Sequence, residues 1–502
     1  MFLYFYPPIF QYVIFCYLWY YIFINKGVFT IFQNVKNFLK RDFSNSEIIN
    51  FILYSMIMFM PFIVVKSMKP NYLMGKVVFT YVMGVLLLFL LIKDNINYLK
   101  SLFKFKTSFK SISFTKDKVK NFFKNNLEEK GILLIFISYA IFSLIGPAIM
   151  VSLLGNKNRY EGLLIYGVYF MLFIAAKKYM KVNKKLIEVS CILATLMAIL
   201  TIFQLHGIDP IYSYLRNVDK AHSEFGTIGN RNFLSTYLLL FEAITMGAFM
   251  FFKNKRYLIY SIIIFGGILS GQTRGVWIAF IVMSFTGLLF IIKSKQHLIR
   301  MFIILICFTG TLFGLNFTSS GEILGRMKTL TTDIGTVGSA LEDATTSSAL
   351  DSIGSGRGKI WSMTFRSIMQ NPIIGTGPDT LHHRLMRDLE DEVLYMMITS
   401  SQYPDKAHNE YLEYTATGGI STLIGYLAIV ISLLVHLIKK RKNDISKIFI
   451  LIIVGYLAQA FFNISVIQVA PIYWILLGLA TQHYRSDSGI LNETSTEELL
   501  LK

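Results

Sequence analysis

The chain has 502 residues, of which 54% are hydrophobic and 16% charged, and its mean hydropathy is +0.52. These values exclude an ordinary soluble protein, in which about 25% of residues are charged. The formal net charge of +19 is compatible with nucleic-acid binding, but the basic residues fall in short loops between apolar runs. That distribution is typical of membrane topology and contact with anionic lipids, so we predict no nucleic-acid partner.

Apolar runs of about 20 residues, long enough to cross the hydrocarbon core as helices, follow one another along the chain. They predict an all-α polytopic membrane protein with about thirteen transmembrane helices, and twelve or fourteen also fit the pattern. The predicted spans are 3–24, 48–68, 72–92, 131–154, 162–176, 186–204, 232–252, 258–270, 275–292, 301–316, 418–438, 448–464 and 471–484. The first run lacks a basic leading segment and a small-residue cleavage site, so we interpret it as a retained helix and not a signal peptide.

Alternate loops are basic, and they set the predicted orientation. Residues 93–130 hold ten lysines and four acidic residues, and "KNKR" and "KKRKNDISK" continue the pattern further along the chain. The positive-inside rule assigns these loops to the cytoplasm. The predicted regions are N-terminal spans with a basic cytoplasmic loop (1–130), a core membrane domain (131–316), one long extracytoplasmic loop carrying short helices (317–417), C-terminal spans (418–485) and a cytoplasmic tail (486–502).

Four arginines lie on the predicted outer side, where the positive-inside rule disfavours them: Arg159, Arg231, Arg274 and Arg357. Arg274 lies in "SGQTRGVW", a polar break between two apolar runs. It could extend toward lipid headgroups, or it could bind an anionic group that arrives in the membrane plane. Guanidinium suits the second role, because its planar fork donates two hydrogen bonds to a phosphate and keeps its charge.

His408 lies in "DKAHNEYLEYTATGG", directly before an apolar run. An unperturbed imidazole has a pKa of about 6.5 and accepts a proton near neutral pH. We predict that His408 lies about one helical turn in from the outer surface and acts as a catalytic base that faces the arginines. The alternative is a structural histidine that bonds the backbone or Glu410. Glu410 and Glu413 could orient the imidazole, bind an acceptor hydroxyl, or simply be solvated acids at a helix start.

No metal site and no cofactor are predicted. The three cysteines all lie inside apolar runs and form no spaced framework. The His382–His383 pair precedes the acidic residues at 388–392, and a solvated acidic face explains this pattern better than metal ligands do. The "GSGRGK" stretch at 354–359 lacks the spacing of a phosphate-binding loop.

Several motifs between about residues 130 and 485 resemble those of the O-antigen ligase and polymerase superfamily of lipid-linked glycan transferases. They are "GNKNRYEGLLIYGVY", "FGTIGNRNFLSTYLLL", "LSGQTRGVWIAF", "SGRGKIWSMTFRSIMQNPIIGTGPDT", "AHNEYLEYTATGGISTLIGYL" and "QAFFNISVIQVAPIYWILLGL". The resemblance implies a metal-independent, inverting transferase that moves a glycan from an undecaprenyl-diphosphate carrier to an acceptor hydroxyl. It also implies that His408 is the base and that Arg274 and Arg357 hold the diphosphate. Asn409 and Glu410 belong to the same motif as His408.

The chain departs from the family pattern at one cation. The "GNPN" element of many relatives reads "GNRN" here, with Arg231 in place of proline. The arginine often found a few residues earlier is absent, and the matching position is about Ser223. We expect Arg231, or else Lys220 or His222, to supply the missing charge, with Arg159 as a supporting cation.

The sequence therefore predicts a multi-pass glycosyltransferase of the cytoplasmic membrane whose active site faces outside. Its predicted partners are a polyprenyl-diphosphate-linked glycan donor, an unknown acceptor and membrane lipids. Ligase and polymerase activity are not distinguished. A transporter or flippase for lipid-linked glycans is the alternative from another class. That function predicts titratable groups buried along the middle of helices, whereas the titratable groups noted here gather at span ends.

Overall fold

A computed structural model describes residues 43–95, 126–215, 225–329, 347–401 and 403–486. Within these ranges the chain is helical and forms no β-strand, which confirms the all-α class. The predicted first span, most of the basic 93–130 segment, the candidate cations Lys220 and His222, and the tail beyond Ser486 lie outside the described residues.

The first helices are α1 (Asn45–Met58), α2 (Met74–Asp94), α3 (Leu127–Ile145), α4 (Ile149–Leu154), α5 (Leu163–Tyr179), α6 (Lys184–Leu205) and α7 (Pro210–Leu215). The central helices are α8 (Arg231–Phe252), α9 (Lys255–Ser270), α10 (Arg274–Ile291) and α11 (Lys295–Thr318). Next come α12 (Ser347–Gln370), α13 (Leu381–Asp388) and α14 (Glu390–Ser400), and the last are α15 (Glu410–Lys439), α16 (Asp444–Ala460) and α17 (Ala470–Ser486).

Six of these helices, α2, α6, α8, α10, α11 and α15, are long and apolar enough to cross a membrane. The apolar stretch of α8 is fully buried inside the protein, whereas only 11% of that of α11 is buried. Helix α8 is therefore central, and α11 presents an apolar surface to the surrounding lipid. The chain is a multi-pass membrane protein, and the predicted number of thirteen spans stays a prediction.

Two predicted spans are interrupted, in each case at a proline. Residues 48–68 do not form one helix, because α1 ends at Met58 and a short 3₁₀ turn, Met60–Phe62, contains Pro61. Residues 131–154 divide into α3 and α4 around Gly146 and Pro147. Proline lacks the N–H that a helix interior needs and clashes with the preceding turn, so neither predicted span is one continuous helix.

The helices pack into one bundle around α8, which contacts α6, α9, α10 and α16. Helix α15 packs along α3, and α17 packs along α5. The buried side chains of these helices form one large apolar cluster, including Leu238, Ile268, Met283 and Leu451. This bundle holds the helix ends in fixed positions, and the candidate site is built on those ends.

Helix α15 begins at Glu410, eight residues before the predicted span, and is broken at Gly419. Gly419 has φ +68° and ψ 173°, a conformation that side chains disfavour. The segment 371–379 lies against the break, and the backbone N–H groups of Thr376 and Gly377 donate to the Thr417 carbonyl at 2.9 and 2.8 Å. A Cβ on Gly375 would lie 2.2 Å from the same oxygen, so only glycine permits this approach. The break thus anchors the loop that carries Asp379.

Candidate active site

Two asparagine caps fix the backbone next to predicted site residues. The Asn230 side chain caps α8 and accepts the N–H two residues on at 2.8 Å. The Asn409 side chain caps α15 in the same way at 3.0 Å. Asparagine is among the best N-cap residues, because its oxygen satisfies backbone N–H groups that have no partner within the helix. Arg231 is consequently the first residue of α8, and His408 immediately precedes the cap of α15.

A basic cavity of about 1050 Å³ lies at these helix ends. Of the described residues that line it, six are cationic and one is acidic. The cations are Lys69, Lys157, Arg159, Arg231, Arg326 and Arg357, and the acid is Asp209. Such a lining favours a ligand that carries more than one negative charge, because several cations act together on an anion placed in the cavity.

Arg357 is held on the cavity wall by a hydrogen bond from its Nη1 to the Phe462 carbonyl at 2.6 Å. Burial lowers the pKa of Arg357, and the positive charges of Arg274 and Arg326 lower it further. Arg274 lies outside the described lining, but it is close enough to Arg357 to act on it electrostatically. The structure therefore brings three of the four predicted arginines to the cavity and places the fourth beside it.

His408 adopts the left-handed backbone conformation, with φ +50°. It lies just outside the first turn of α15. The reason is that Asn409 caps the helix immediately after it. The Nδ1 atom of His408 is buried and has no hydrogen-bond partner within the described part of the chain. Non-glycine residues rarely take this conformation, so the imidazole is held in place by its surroundings.

The electrostatic surroundings of His408 differ from the sequence prediction. Burial lowers its pKa from 6.5 to about 4, and the charges of Arg357 and Arg159 contribute to this decrease. Asp405 acts in the opposite direction. At neutral pH the imidazole is therefore neutral and able to accept a proton, but it is a weaker base than an unperturbed histidine.

The carboxylate of Glu410 accepts no hydrogen bond from the Nδ1 atom of His408, which is buried. Its Oε1 accepts the Tyr456 hydroxyl at 2.9 Å, and its other oxygen lies 3.5 Å from the Tyr414 hydroxyl. Both the acid and Tyr456 are buried. In this structure Glu410 fixes the first turn of α15 within the bundle, and Asn409 has the corresponding role at its cap.

Lys406, two residues before His408 in the chain, is the centre of a buried charge cluster with Glu161, Asp379 and Glu413. The Lys406 Nζ atom is 3.1 Å from Asp379 Oδ1, 3.5 Å from Glu413 Oε1 and 3.6 Å from Glu161 Oε2. Burial alone would lower the pKa of Lys406, but the three carboxylates outweigh it and raise that pKa well above its usual value. The cluster ties together three segments that are distant in sequence.

Arg159 extends this network toward the cavity. Its Nε donates to Asp405 Oδ2 at 2.7 Å, and its guanidinium lies 5.8 Å from the centre of the Phe233 ring. Burial would raise the pKa of Asp405, but Arg159 lowers it overall. Arg159 is therefore a cation partly balanced by a carboxylate, which agrees with a supporting position at the site.

Four residues were not predicted from the sequence: Lys406, Asp379, Glu161 and Arg326. Lys406, Asp379 and Glu161 lie in motifs that were of interest for other residues, "DKAHNEY", "GTGPDT" and "GNKNRYEG". Their pairing could not be read from sequence, because it depends on the approach of segment 371–379 to α15. Arg326 lies in the segment after α11 and carries no recognisable motif.

The comparisons with known proteins bear on the central part of the chain. Residues 259–427 match the family model described as O-antigen ligase. This region is similar to an O-antigen ligase domain. The matched residues include Arg274, Arg357 and His408, whereas Arg159 and Arg231 lie before them in the chain. The match confirms the predicted resemblance to the O-antigen ligase and polymerase superfamily. No curated protein matches the chain.

Proposed function

We propose that this protein transfers a glycan from a polyprenyl diphosphate, of the undecaprenyl type, to an acceptor hydroxyl at the outer face of the cytoplasmic membrane. The observation that carries the proposal is a cavity lined by six cations and one acid, two of whose cations, Arg357 and Arg159, are close enough to His408 to act on it electrostatically. Among the described residues, the buried Nδ1 of His408 has no hydrogen-bond partner. The match of residues 259–427 to the O-antigen ligase family model supports glycan transfer as the reaction class. A diphosphate diester carries two negative charges and fits the cationic lining.

The reaction replaces one bond at the anomeric carbon of the donor sugar. The acceptor oxygen attacks this carbon from the face opposite the diphosphate, so a new glycosidic bond forms with inversion as the carbon–oxygen bond to diphosphate breaks. The acceptor hydroxyl loses its proton to the imidazole of His408, and polyprenyl diphosphate leaves as an anion. General-base assistance of this kind contributes about 10²- to 10⁴-fold.

The arginines stabilise the leaving group in this proposal. Arg357, Arg274 and Arg231 would bind the diphosphate oxygens, and their charges would oppose the negative charge that increases as the bond breaks. Because guanidinium and diphosphate are both permanently charged near neutral pH, no bound metal ion is needed to neutralise the leaving group. Arg159, held by Asp405, would position the acceptor side of the cavity.

The orientation of the helices supports an outward-facing site. Helices α8, α10 and α15 all begin at the site. They end respectively at Phe252, Ile291 and Lys439, and each end is followed by basic residues. The positive-inside rule places those basic loops in the cytoplasm, so the opposite ends of the same helices face outward. A polyprenyl-diphosphate glycan displayed on the outer leaflet could reach such a site within the membrane plane.

An assay with purified protein in liposomes tests this function. With a synthetic undecaprenyl-diphosphate glycan and a set of hydroxyl acceptors, we expect release of undecaprenyl diphosphate with an equal amount of new glycosidic linkage. The product also distinguishes the two activities of the superfamily: a polymerase lengthens the lipid-linked glycan, whereas a ligase moves it to another acceptor. Movement of the donor across the bilayer without bond formation would contradict the proposal and indicate a transporter.

The acid limbs of the pH profiles are predicted to differ between kcat/KM and kcat. The neutral imidazole is the base, so activity is present above the pKa of His408 and is lost as pH falls through it. In the free protein this pKa is about 4, so kcat/KM should persist below pH 6.5. A bound diphosphate offsets the charges of Arg357 and Arg159 and raises the pKa, so kcat should decrease at a higher pH. A kcat/KM limb near pH 6.5 would contradict the electrostatic environment described above.

A further inference from the structure

Arg326 lies on the cavity wall in a segment that follows α11. Residues 322–329 are helical, and Arg326 lines the same cavity as Arg357 and Arg231. It is also close enough to contribute to the lowered pKa of Arg357. Its distance in sequence from the other arginines means that only the fold brings it to this site.

Reciprocal hydrogen bonds tie Arg326 to the turn that precedes α10. The Nε atom of Arg326 donates to the Gln272 carbonyl at 3.4 Å. In the opposite direction, Arg274 Nη1 donates to the Thr329 carbonyl and hydroxyl, each at 3.3 Å. The Thr329 hydroxyl in turn donates to the Arg326 carbonyl at 2.8 Å. Each arginine side chain therefore bonds to the backbone of the segment that carries the other arginine. These bonds hold the two segments together and set the positions of both guanidinium groups.

The three guanidinium groups of Arg274, Arg326 and Arg357 form what we call the arginine triad. Burial lowers the pKa of Arg357, and the positive charges of Arg274 and Arg326 lower it further, so both repel the Arg357 guanidinium. An anion with several oxygens, placed between them, reverses this repulsion and accepts charge-assisted hydrogen bonds from each. A diphosphate offers oxygens on two neighbouring phosphorus atoms, which a single arginine cannot cover with its two parallel donors.

We propose that Arg326 is a third binding residue for the diphosphate of the donor and acts together with Arg357 and Arg274. This inference rests on the proposed glycan transfer and adds a cation that lies in none of the motifs quoted for the family resemblance. The hydrogen bond from Arg326 to the Gln272 carbonyl anchors this cation to the turn that carries Arg274. The ligand it binds is the anionic leaving group and not the sugar.

Binding of inorganic pyrophosphate to the detergent-purified full chain tests this role without requiring transfer activity. We expect Arg326→Gln to weaken the affinity, measured by calorimetry, by about tenfold or more, since a hydrogen bond to a charged group is lost. Lys328→Gln is the matched control. It removes the same charge from the same short helix at an exposed position outside the described cavity lining, and it should bind as wild type does.

A further variant separates binding from a purely structural role. Arg326→Lys keeps the positive charge, so it should bind pyrophosphate more tightly than Arg326→Gln does. Equal loss in both variants would mean that Arg326 only shapes the turn at Gln272, and would overturn the inference. Wild-type affinity in Arg326→Gln, with loss in Arg357→Gln, would overturn it while leaving the proposed function intact. Absence of both pyrophosphate binding and glycan transfer in the wild type would instead reject the proposed function as well.

Discussion

Replacing His408 by asparagine should lower kcat for glycan transfer by about 10²- to 10⁴-fold and leave the KM for the lipid-linked donor close to the wild-type value. The reason is that the imidazole accepts its proton only as the acceptor oxygen attacks, whereas the diphosphate is bound by the arginines in ground state and transition state alike. The measurement is steady-state transfer with a synthetic lipid-linked donor in liposomes. Pyrophosphate affinity should not decrease.

Asparagine is the informative replacement because His408 has φ +50°. Among non-glycine residues, asparagine adopts this left-handed conformation relatively often. The variant therefore removes the base with little added backbone strain. His297→Asn is a suitable control, since His297 contacts Phe251 near the other ends of the helices. His297→Asn should keep the wild-type kcat. If His408→Asn also keeps a near-normal kcat, His408 is not the base.

The predicted arginines show what a sequence can reveal about a site in a membrane protein. The positive-inside rule disfavours arginine in loops on the outer side of the membrane. An arginine found there needs a local explanation, and binding of an anion is one. The structure brings Arg159, Arg231 and Arg357 to one cavity and places Arg274 next to Arg357. Their convergence was predicted from charge and position along the helices, without knowledge of helix packing.

The electrostatics of the base could not be predicted in the same way. The sequence gives the identity of His408 and therefore an ordinary pKa near 6.5. Its actual environment depends on burial and on Arg357 and Arg159, which approach from remote segments. A pKa change of this size is a property of three-dimensional arrangement, and sequence distance carries almost no information about it.

Apolar runs correctly indicated an all-helical membrane protein but concealed where helices begin and where they are interrupted. Helix α15 illustrates the difficulty, because the sequence predicted a start at residue 418 and the helix begins at Glu410. Its first turns carry Glu410, Glu413 and threonines, which reduce the apolar signal, although these side chains are buried. Hydropathy reflects the free-energy cost of placing a polar side chain in lipid. It contains no information on hydrogen bonds that such a side chain makes to neighbouring helices.

Glu242 is an exception to the statement that titratable groups gather at span ends. It is fully buried in the middle of α8, and its Oε1 accepts the Ser261 hydroxyl at 2.5 Å. The sequence analysis missed it because an isolated acid in an apolar run gives no indication of its partners. Its described hydrogen bonds go to Ser261 and Thr245, which are neutral. A single acid bonded to hydroxyl groups holds α8 against α9 and does not define a path for a transported lipid.

The second large effect is expected at Lys406, the centre of the buried charge cluster. Lys406→Met removes one positive charge and leaves Glu161, Asp379 and Glu413 buried close together. Removing one partner of a buried ion pair typically costs about 3–5 kcal/mol of folding free energy, because the remaining charge is uncompensated. We therefore expect a clear decrease in the thermal unfolding temperature of the purified protein, together with loss of transfer activity.

Lys157→Met is the matched control for the unfolding temperature only, because Lys157 also lines the cavity. Lys157 is exposed and belongs to the loop that also carries Glu161, so its replacement should change the unfolding temperature little. Glu161→Gln tests the mechanism, because it removes one of the carboxylates that Lys406 compensates. If the charges are coupled, Lys406→Met combined with Glu161→Gln should be less destabilising than the sum of the two single changes. Strict additivity would show that the charges of Lys406 and Glu161 are not coupled, and would contradict this mechanism.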